Sequence, residues 1–152
     1  MKSPLYEHDF LLWSEQQAAV LRTGNLAALD TEGLLEELED MAKKRKEALQ
    51  TLMRNILAHL LRLQFSTAIG PPAGWVDEID NLRDQAETKI EDTPSLTHYA
   101  QGLFEKAWPQ ALRAADKSFA RHGEKAVLPK ECPYTLAQVL DHDFYPESPE
   151  HL

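Results

Sequence analysis

Apolar residues recur along this chain with the spacing of one helix face, and no segment alternates apolar and polar residues as a half-buried strand would. The first such segment runs from Asp9 to Arg22, and Gly24 follows it where a helix C-cap is expected. After a short connection, Asp30 stands at the position of a helix N-cap. The pattern therefore predicts an all-α fold that begins with a helix over residues 10–22.

The segment after Asp30 contains no proline before Pro71 and keeps its apolar residues on one helix face. These apolar residues are Leu34, Leu38, Ala42, Leu49, Leu52, Met53, Ile56, Leu60 and Leu63. The spacing predicts one long central helix over residues 31–66, on the order of 50 Å long at 1.5 Å per residue. The alternative is a break near Lys43–Lys46.

The two halves of this predicted helix differ in the width of their apolar face. Beyond Leu52 the helix becomes apolar on nearly every side, so this half is predicted to be the central core element. The earlier half keeps only a narrow stripe, formed by Leu34, Leu38, Met41 and Ala42. We therefore expect the earlier half to lie at the surface or against a partner.

Prolines, glycines and capping residues predict three further helices. A loop over 69–74 precedes a third helix over 75–90. A fourth helix is predicted over 93–121, with a kink at Pro109 because an interior proline removes a backbone hydrogen bond. A short fifth helix is predicted over 135–140.

The fifth helix has the most specific start signal, because Thr135 and Gln138 have the spacing of a capping box. Together the elements predict a single-domain bundle of about five helices over residues 1–152. Residues 1–8 are predicted to be an N-terminal extension and residues 141–152 an acidic tail.

Composition narrows the functional classes. The chain has 16 Lys and Arg against 25 Asp and Glu, a net charge of −9 that makes binding to nucleic acid or anionic lipid unlikely on electrostatic grounds. Cys132 is the single cysteine, so no intramolecular disulfide can form. The N-terminus lacks the pattern of a signal peptide, and no stretch is apolar enough to span a membrane. A cytoplasmic protein is therefore expected.

The acidic block Glu36, Glu37, Glu39 and Asp40 is a candidate functional cluster, because helical bundles build metal sites from such carboxylates. The histidine spacing that those metal sites need is absent. The same residues are also explained as a solvated face, since Glu39 lies four residues before Lys43, the favourable order for a helical ion pair. We favour the solvated face and predict no metal and no cofactor.

Two single residues are further candidates. His59 lies on the flank of the apolar stripe in the more apolar half of the long helix, where a core histidine with one hydrogen bond satisfied is favoured over a ligand or a base. Arg45 interrupts the stripe, and we favour an ion pair at an interface for it. On a straight helix Glu36 and His59 would be about 35 Å apart, so they could share a site only through a break or a second subunit.

No segment carries a catalytic motif. Cys132 lies between Glu131 and Pro133 without a nearby histidine, so nothing indicates a reactive thiolate. The consecutive residues Asp141-His142-Asp143 are of metal-ligating types, but three adjacent side chains do not converge on one ion without an unusual turn. No catalytic residues are predicted.

Several short blocks occur in a fixed order along nearly the whole chain. They are Tyr6, Asp9, Phe10 and Trp13, then 34–39 (LLEELE), His59-Leu60-Leu61, 132–136 (CPYTL) and 143–146 (DFYP). In this order they resemble the bacterial family catalogued as domain of unknown function number twenty-nine. The resemblance implies a helical, intracellular bacterial protein, and it brings no established activity, cofactor or catalytic residue.

Two hypotheses for function follow. The first is a non-enzymatic helical module that binds itself or another protein, because a long half-exposed helix with one apolar stripe is an association surface. In a dimer, two such helices would pack antiparallel and set Glu37 or Glu39 near Arg45 of the second copy. The alternative is a metal-binding protein or enzyme that assembles the acidic block and His59 into one site.

Overall fold

The computed structural model describes residues 2–67 and 73–147, and in these ranges the chain is all-α, without a strand. Its α-helices are α1 (Pro4–His8), α2 (Phe10–Thr23), α3 (Thr31–Phe65), α4 (Ala73–Asp92), α5 (Ala100–Arg121) and α6 (Leu136–Leu140). Short 3-10 helices occupy Leu26–Ala28 and Pro94–His98. The predicted all-α class and the long helix are confirmed. Most of the predicted loop 69–74 and residues 148–152 of the predicted tail lie outside the described residues.

The helix ends confirm the capping signals. Gly24 closes α2 in the left-handed conformation with φ 74°, which glycine adopts without steric cost. The Asp30 carboxylate accepts a hydrogen bond from the backbone N–H of Gly33 at 3.0 Å, as the N-cap of α3 should. At α6, Thr135 and Gln138 form both hydrogen bonds of a capping box. Local side-chain chemistry therefore sets where these helices begin and end.

Two elements differ from the predicted ones. Residues Pro4–His8 of the predicted N-terminal extension form the short helix α1, started by the Ser3 side chain, which accepts from the N–H of Leu5. The segment after Thr93 opens as a 3-10 helix, and the α-helical part begins at Ala100. Pro109 does lie inside α5, as predicted, and the bend there stays a prediction.

The long helix α3 is unbroken from Thr31 to Phe65, so the alternative of a break at residues 43–46 is wrong. The chain nevertheless divides into two compact units, Met1–Arg45 and Lys46–Leu152. We call them the N-terminal unit and the C-terminal unit. α3 contributes residues 31–45 to the first and residues 46–65 to the second.

The C-terminal unit contains the hydrophobic core. The buried apolar residues of α3 in this core are Leu49, Leu52, Met53, Ile56, Leu57, Ala58, Leu60, Leu61 and Leu63. Helices α4, α5 and α6 add Ile79, Leu82, Ala86, Ala100, Leu103, Phe104, Ala107, Ala111, Ala115, Phe119 and Val139. This half of α3 is the core element that its apolar surface on nearly every side predicts.

The N-terminal unit buries far less. Trp13 is its one large side chain below 3% exposure among the described residues, and Gln17 is the buried polar one. None of the helices in the described part of the chain has an apolar stretch long enough to cross a membrane.

Candidate interaction surface

A cluster of hydrogen bonds around Asp30 fixes the start of the N-terminal unit. Oδ2 of Asp30 accepts from the backbone N–H of Ser3 and from the indole N–H of Trp13, each at 2.9 Å. The backbone N–H of Asp30 donates to the buried side chain of Gln17 at 2.8 Å. The hydrogen bonds from Ser3 and Gly33 hold the pKa of Asp30 below its ordinary value, because they stabilise the carboxylate. One residue thus joins α1, α2 and α3.

This cluster leaves no room for a side chain at Gly33. A Cβ there would lie 2.5 Å from Oδ2 of Asp30 and 3.0 Å from Cζ2 of Trp13. Glycine is therefore required by the close approach of two side chains rather than by its backbone conformation. The sequence contains no signal for this, since a glycine early in a helix is otherwise only a weak propensity cost.

The acidic block is divided between two environments. Glu36 forms an ion pair with Lys2, and Glu37 accepts a hydrogen bond from the Tyr6 hydroxyl at 3.1 Å. Burial and this hydrogen bond raise the pKa of Tyr6 to about 12. Glu39 and Asp40 are exposed. The block therefore acts in part as an anchor for the N-terminal residues, a role that sequence reasoning missed.

Most of the exposed large apolar side chains of the described residues belong to the N-terminal unit. Eight of ten lie there: Phe10, Leu11, Leu12, Leu21, Leu26, Leu35, Leu38 and Met41. On α3, Leu35, Leu38 and Met41 are 57%, 63% and 52% exposed. We call these three residues with Ala42, which is also exposed, the α3 stripe. Leu34, predicted as part of the stripe, is half-buried and Leu35 is exposed in its place, while Leu38, Met41 and Ala42 belong to both the predicted and the exposed stripe.

Arg45 and His59 lie in different units. Arg45 is exposed. His59 is half-buried, and within the described ranges its Nδ1 is shut off from solvent without a hydrogen-bond partner. Burial, and then the charge of Arg62, lower the pKa of His59, so the neutral ring is favoured. Within residues 2–67 and 73–147, no group of three possible metal ligands includes Glu36, Glu37, Glu39, Asp40 or His59.

Three other residues do come together. Asp84 and Glu87 of α4 lie beside His142, and one ligand atom from each lies within 4.8 Å of the others. Nε2 of His142 is 3.0 Å from Glu87 and 3.8 Å from Asp84. His142 thus meets carboxylates from a distant segment rather than its neighbours Asp141 and Asp143. The spacing of Asp84 and Glu87 was visible in the sequence, but the approach of His142 was not.

Within the C-terminal unit, contacts made by Arg83 and Tyr145 hold the segment that carries His142 against α4. Arg83 is 1% exposed and donates to the backbone carbonyls of Val139 at 2.8 Å and Gln138 at 3.1 Å. Its guanidinium also lies 5.1 Å from the ring centroid of Tyr145, whose hydroxyl bonds to Asp80. The described part of the predicted tail is therefore attached by its two aromatic residues, since Phe144 also packs against the core. Arg83 gave no signal in the sequence.

Cys132 has the surroundings of a structural cysteine. It is half-buried, and its Sγ donates to the carbonyl of Tyr134 at 3.4 Å. Burial raises the pKa of the thiol, which disfavours the nucleophilic thiolate.

The fold and these contacts define an all-α protein with a polar cluster at its N-terminus and an exposed apolar stripe on its longest helix. The chain belongs to the family described as Domain of unknown function DUF29, whose model matches residues 5–145. The resemblance seen in the sequence blocks is thereby confirmed. No curated protein and no solved structure matches the chain.

Proposed function

We propose that the protein is a non-enzymatic interaction module that associates with a second copy of itself through the N-terminal unit. The observation that carries the proposal is the concentration of exposed large apolar side chains in this unit, including Leu35, Leu38 and Met41 of the α3 stripe. Contiguous exposed apolar surface is typical of association sites. Leu35, Leu38 and Ala42 have the three- and four-residue spacing of a coiled-coil seam.

Charge favours a second copy as the occupant of this surface. Acidic residues precede the middle of the stripe and basic residues follow it, so the helix surface is complementary to itself in the antiparallel direction. A two-fold axis between Met41 and Ala42 places Glu39 of one copy opposite Lys44 of the other. The same axis places Leu38 opposite Arg45, whose aliphatic stem can cover it. Glu37 is already bonded to Tyr6, so Glu39 is the better candidate for the intermolecular pair.

The Asp30 cluster supports this proposal because it holds the surface in one arrangement before binding. Hydrogen bonds from Ser3 and Trp13 to Asp30, and from Tyr6 to Glu37, fix α1 and α2 against α3. A surface that is already ordered loses less conformational entropy on association.

Light scattering of the purified protein at micromolar concentration tests the proposal. We expect a dimer for the unchanged chain and a monomer for Leu38→Asp, because the new carboxylate would be buried at the contact. The matched control is Val127→Asp, which alters a side chain that is 91% exposed outside the N-terminal unit and should leave the dimer intact. A monomeric unchanged chain, or a dimer indifferent to Leu38→Asp, would overturn the proposal.

Charge reversal tests the antiparallel geometry separately. Glu39→Lys and Lys44→Glu should each weaken the dimer, since each sets like charges opposite one another. The double variant restores opposite charges across the two-fold axis and should recover most of the lost affinity. If the double variant is as weak as the worse single variant, these residues do not face each other.

A second candidate function, metal binding, is favoured by the grouping of Asp84, Glu87 and His142. The two carboxylates and one imidazole are ligand types that suit zinc and other divalent transition metals. Elemental analysis distinguishes the candidates, because the self-association proposal expects no stoichiometric metal. Metal binding would be favoured instead if the unchanged chain were a monomer that carries one equivalent of metal, and if His142→Ala lost that metal while remaining a monomer.

A further inference from the structure

A groove in the C-terminal unit is lined by positive side chains although the chain as a whole carries a net charge of −9. It lies between α3 and α5 and has a volume of about 450 Å³. Its cations are Arg54, Arg62, Arg113, Lys117 and Arg121. No Asp or Glu is among the described residues that line it. We call it the basic groove.

The three cations that α5 contributes lie close together on one face of the helix. Arg113, Lys117 and Arg121 follow one another at intervals of four residues, which places all three on one face of the helix. Like charges at this spacing repel one another. Arg54 and Arg62 of α3 add their charges from the opposite side of the groove. The repulsion among these five cations costs stability in the free protein. An anion bound in the groove would balance their charge and remove this cost.

Arg62 is the member most in need of a counter-charge. It is half-buried, and its Nε is shut off from solvent with no hydrogen-bond acceptor among the described residues. Burial, and then the charge of Arg121, lower the pKa of Arg62, although a guanidinium keeps its proton at neutral pH. A bound oxyanion would supply both the missing acceptor and the missing negative charge.

A second cleft adjoins the basic groove at Arg62. It also has a volume of about 450 Å³, and its apolar lining is formed by Trp75 and Phe119. The carboxylate in this cleft, Glu124, accepts a hydrogen bond from the Ser66 hydroxyl at 2.7 Å. The neighbourhood therefore combines a cationic groove with an aromatic surface that can pack against an apolar or planar group.

We propose that the basic groove binds the phosphate groups of a small phosphorylated molecule that carries at least two phosphates. Arginine is the side chain best matched to phosphate geometry, and one phosphate with at most two negative charges would leave most of the five cations unbalanced. The groove volume is that of a small-molecule site. A long nucleic acid is disfavoured because, away from the groove, it would meet the negative field of the rest of the chain.

Isothermal titration calorimetry with the full chain, freed of metal ions on a chelating resin beforehand, tests this inference, using inorganic pyrophosphate and a nucleoside triphosphate as probes. We expect at least one of the two to bind, with affinity that falls as salt rises. The double variant Arg113→Gln/Arg121→Gln alters exposed side chains and should weaken that binding by about tenfold or more, because each substitution removes a charge-assisted hydrogen bond. Lys89→Gln, an exposed cation outside the groove, is the matched control and should change nothing.

Two further probes distinguish phosphate from its competitors. Citrate carries a similar charge without phosphate and should bind more weakly than pyrophosphate. A single-stranded oligonucleotide should bind no more tightly than the nucleoside triphosphate. Absence of binding by both small phosphates, equal binding of citrate, preference for the oligonucleotide, or indifference to Arg113→Gln/Arg121→Gln would each overturn the inference. The inference is independent of the proposed dimer, which uses the N-terminal unit.

Discussion

The two units achieve order by different means. The C-terminal unit buries a continuous set of apolar side chains from four helices, with Leu57, Leu60 and Ile79 fully removed from solvent. Among its described residues, the N-terminal unit has one large buried apolar side chain, Trp13, and hydrogen bonds to Asp30 and Glu37 hold its helices together. Helix α3 belongs to both, so the difference does not come from helix formation itself.

The comparison shows that a helix becomes core only where neighbouring helices of its unit bring a matching apolar face. In the C-terminal unit, α5 supplies Leu103, Phe104 and Phe119 for this purpose. In the N-terminal unit, α2 leaves Leu11 and Leu12 exposed. Burial of apolar surface stabilises by roughly 25 cal/mol per Å², whereas a net hydrogen bond contributes about 0.5–1.5 kcal/mol. The N-terminal unit should therefore be the less stable of the two and gain more from a partner.

The largest expected effect contrasts one leucine from each unit. Leu57→Ala in the C-terminal unit should lower the free energy of unfolding by about 2–5 kcal/mol, because it removes a fully buried side chain and leaves a cavity. Leu38→Ala should change the stability of the monomer by no more than about 0.5 kcal/mol. Urea unfolding measures both at concentrations where light scattering finds monomer. Equal losses in the two variants would mean that the units do not differ as described.

The next effect concerns the buried cation of the C-terminal unit. Arg83→Met should cost about 3 kcal/mol or more, because the carbonyls of Gln138 and Val139 lose charge-assisted hydrogen bonds at the end of α6. Lys89→Met, at an exposed position of the same helix, is the control and should be nearly neutral. Thermal unfolding gives the difference. If Arg83→Met is as stable as the control, apolar packing alone holds α6.

A pair of glycine substitutions tests the polar cluster of the N-terminal unit. Gly33→Ala should destabilise this unit by about 1–3 kcal/mol, because the added methyl group displaces Asp30 or Trp13 and breaks their hydrogen bond. Gly102→Ala meets no atom within 4 Å in α5 and should stabilise by up to about 1 kcal/mol. Circular dichroism during urea unfolding records both. A stabilising Gly33→Ala would show that the cluster adjusts without cost.

The smallest expected effect is the pH dependence of each unit. The pKa of His59 is lowered from its ordinary value of 6.5, so the unfolded chain takes up the proton first as pH falls. Stability of the C-terminal unit should therefore decrease as pH drops below 6.5 and level off below the folded pKa. His59→Gln should flatten this part of the profile. Urea midpoints measured between about pH 5 and pH 8 check it, and an unchanged slope in the variant would contradict it.

The contribution of Asp30 to stability should depend on pH at lower pH values than that of His59. Its pKa is lowered from the ordinary value of 3.8, so its contribution to the N-terminal unit is complete above that value and is lost as pH falls through the folded pKa. Trp13 fluorescence in a variant with Trp75→Phe and Trp108→Phe follows this loss. Asp30→Asn in the same background should show a smaller acid-induced change over this pH range, because the Asp30 contribution is absent.

Much of the fold could be predicted from local features of the sequence. The apolar period of α3 predicted its length and its apolar half, and Asp30, Gly24 and Thr135 marked helix ends that the structure confirms. Such signals act within one or two turns, so backbone geometry and capping chemistry suffice to define them. The short helix α1 was missed because its five residues have no apolar period to detect.

The α3 stripe could be predicted from the sequence only in part. The narrow apolar stripe indicated an exposed surface on the first half of α3, yet Leu35 rather than Leu34 is one of the exposed residues that form it. On this part of the chain Tyr6 donates a hydrogen bond to Glu37 and Trp13 donates one to Asp30, and these contacts join segments far apart in the sequence. Periodicity defines an apolar face but not which edge of it a neighbouring helix covers.

By itself, the sequence determined the helical class, the long helix α3 and the inequality of its two halves, because each depends on the order of apolar and capping residues along a few turns. Only the tertiary structure decided that Glu36 and Glu37 anchor Lys2 and Tyr6, and that five cations line one groove. It also decided that His142 meets Asp84 and Glu87 rather than the acids beside it. These are contacts between side chains from separate segments of the chain. Their energies depend on distance and burial in three dimensions, and the spacing of residues along the sequence does not give either quantity.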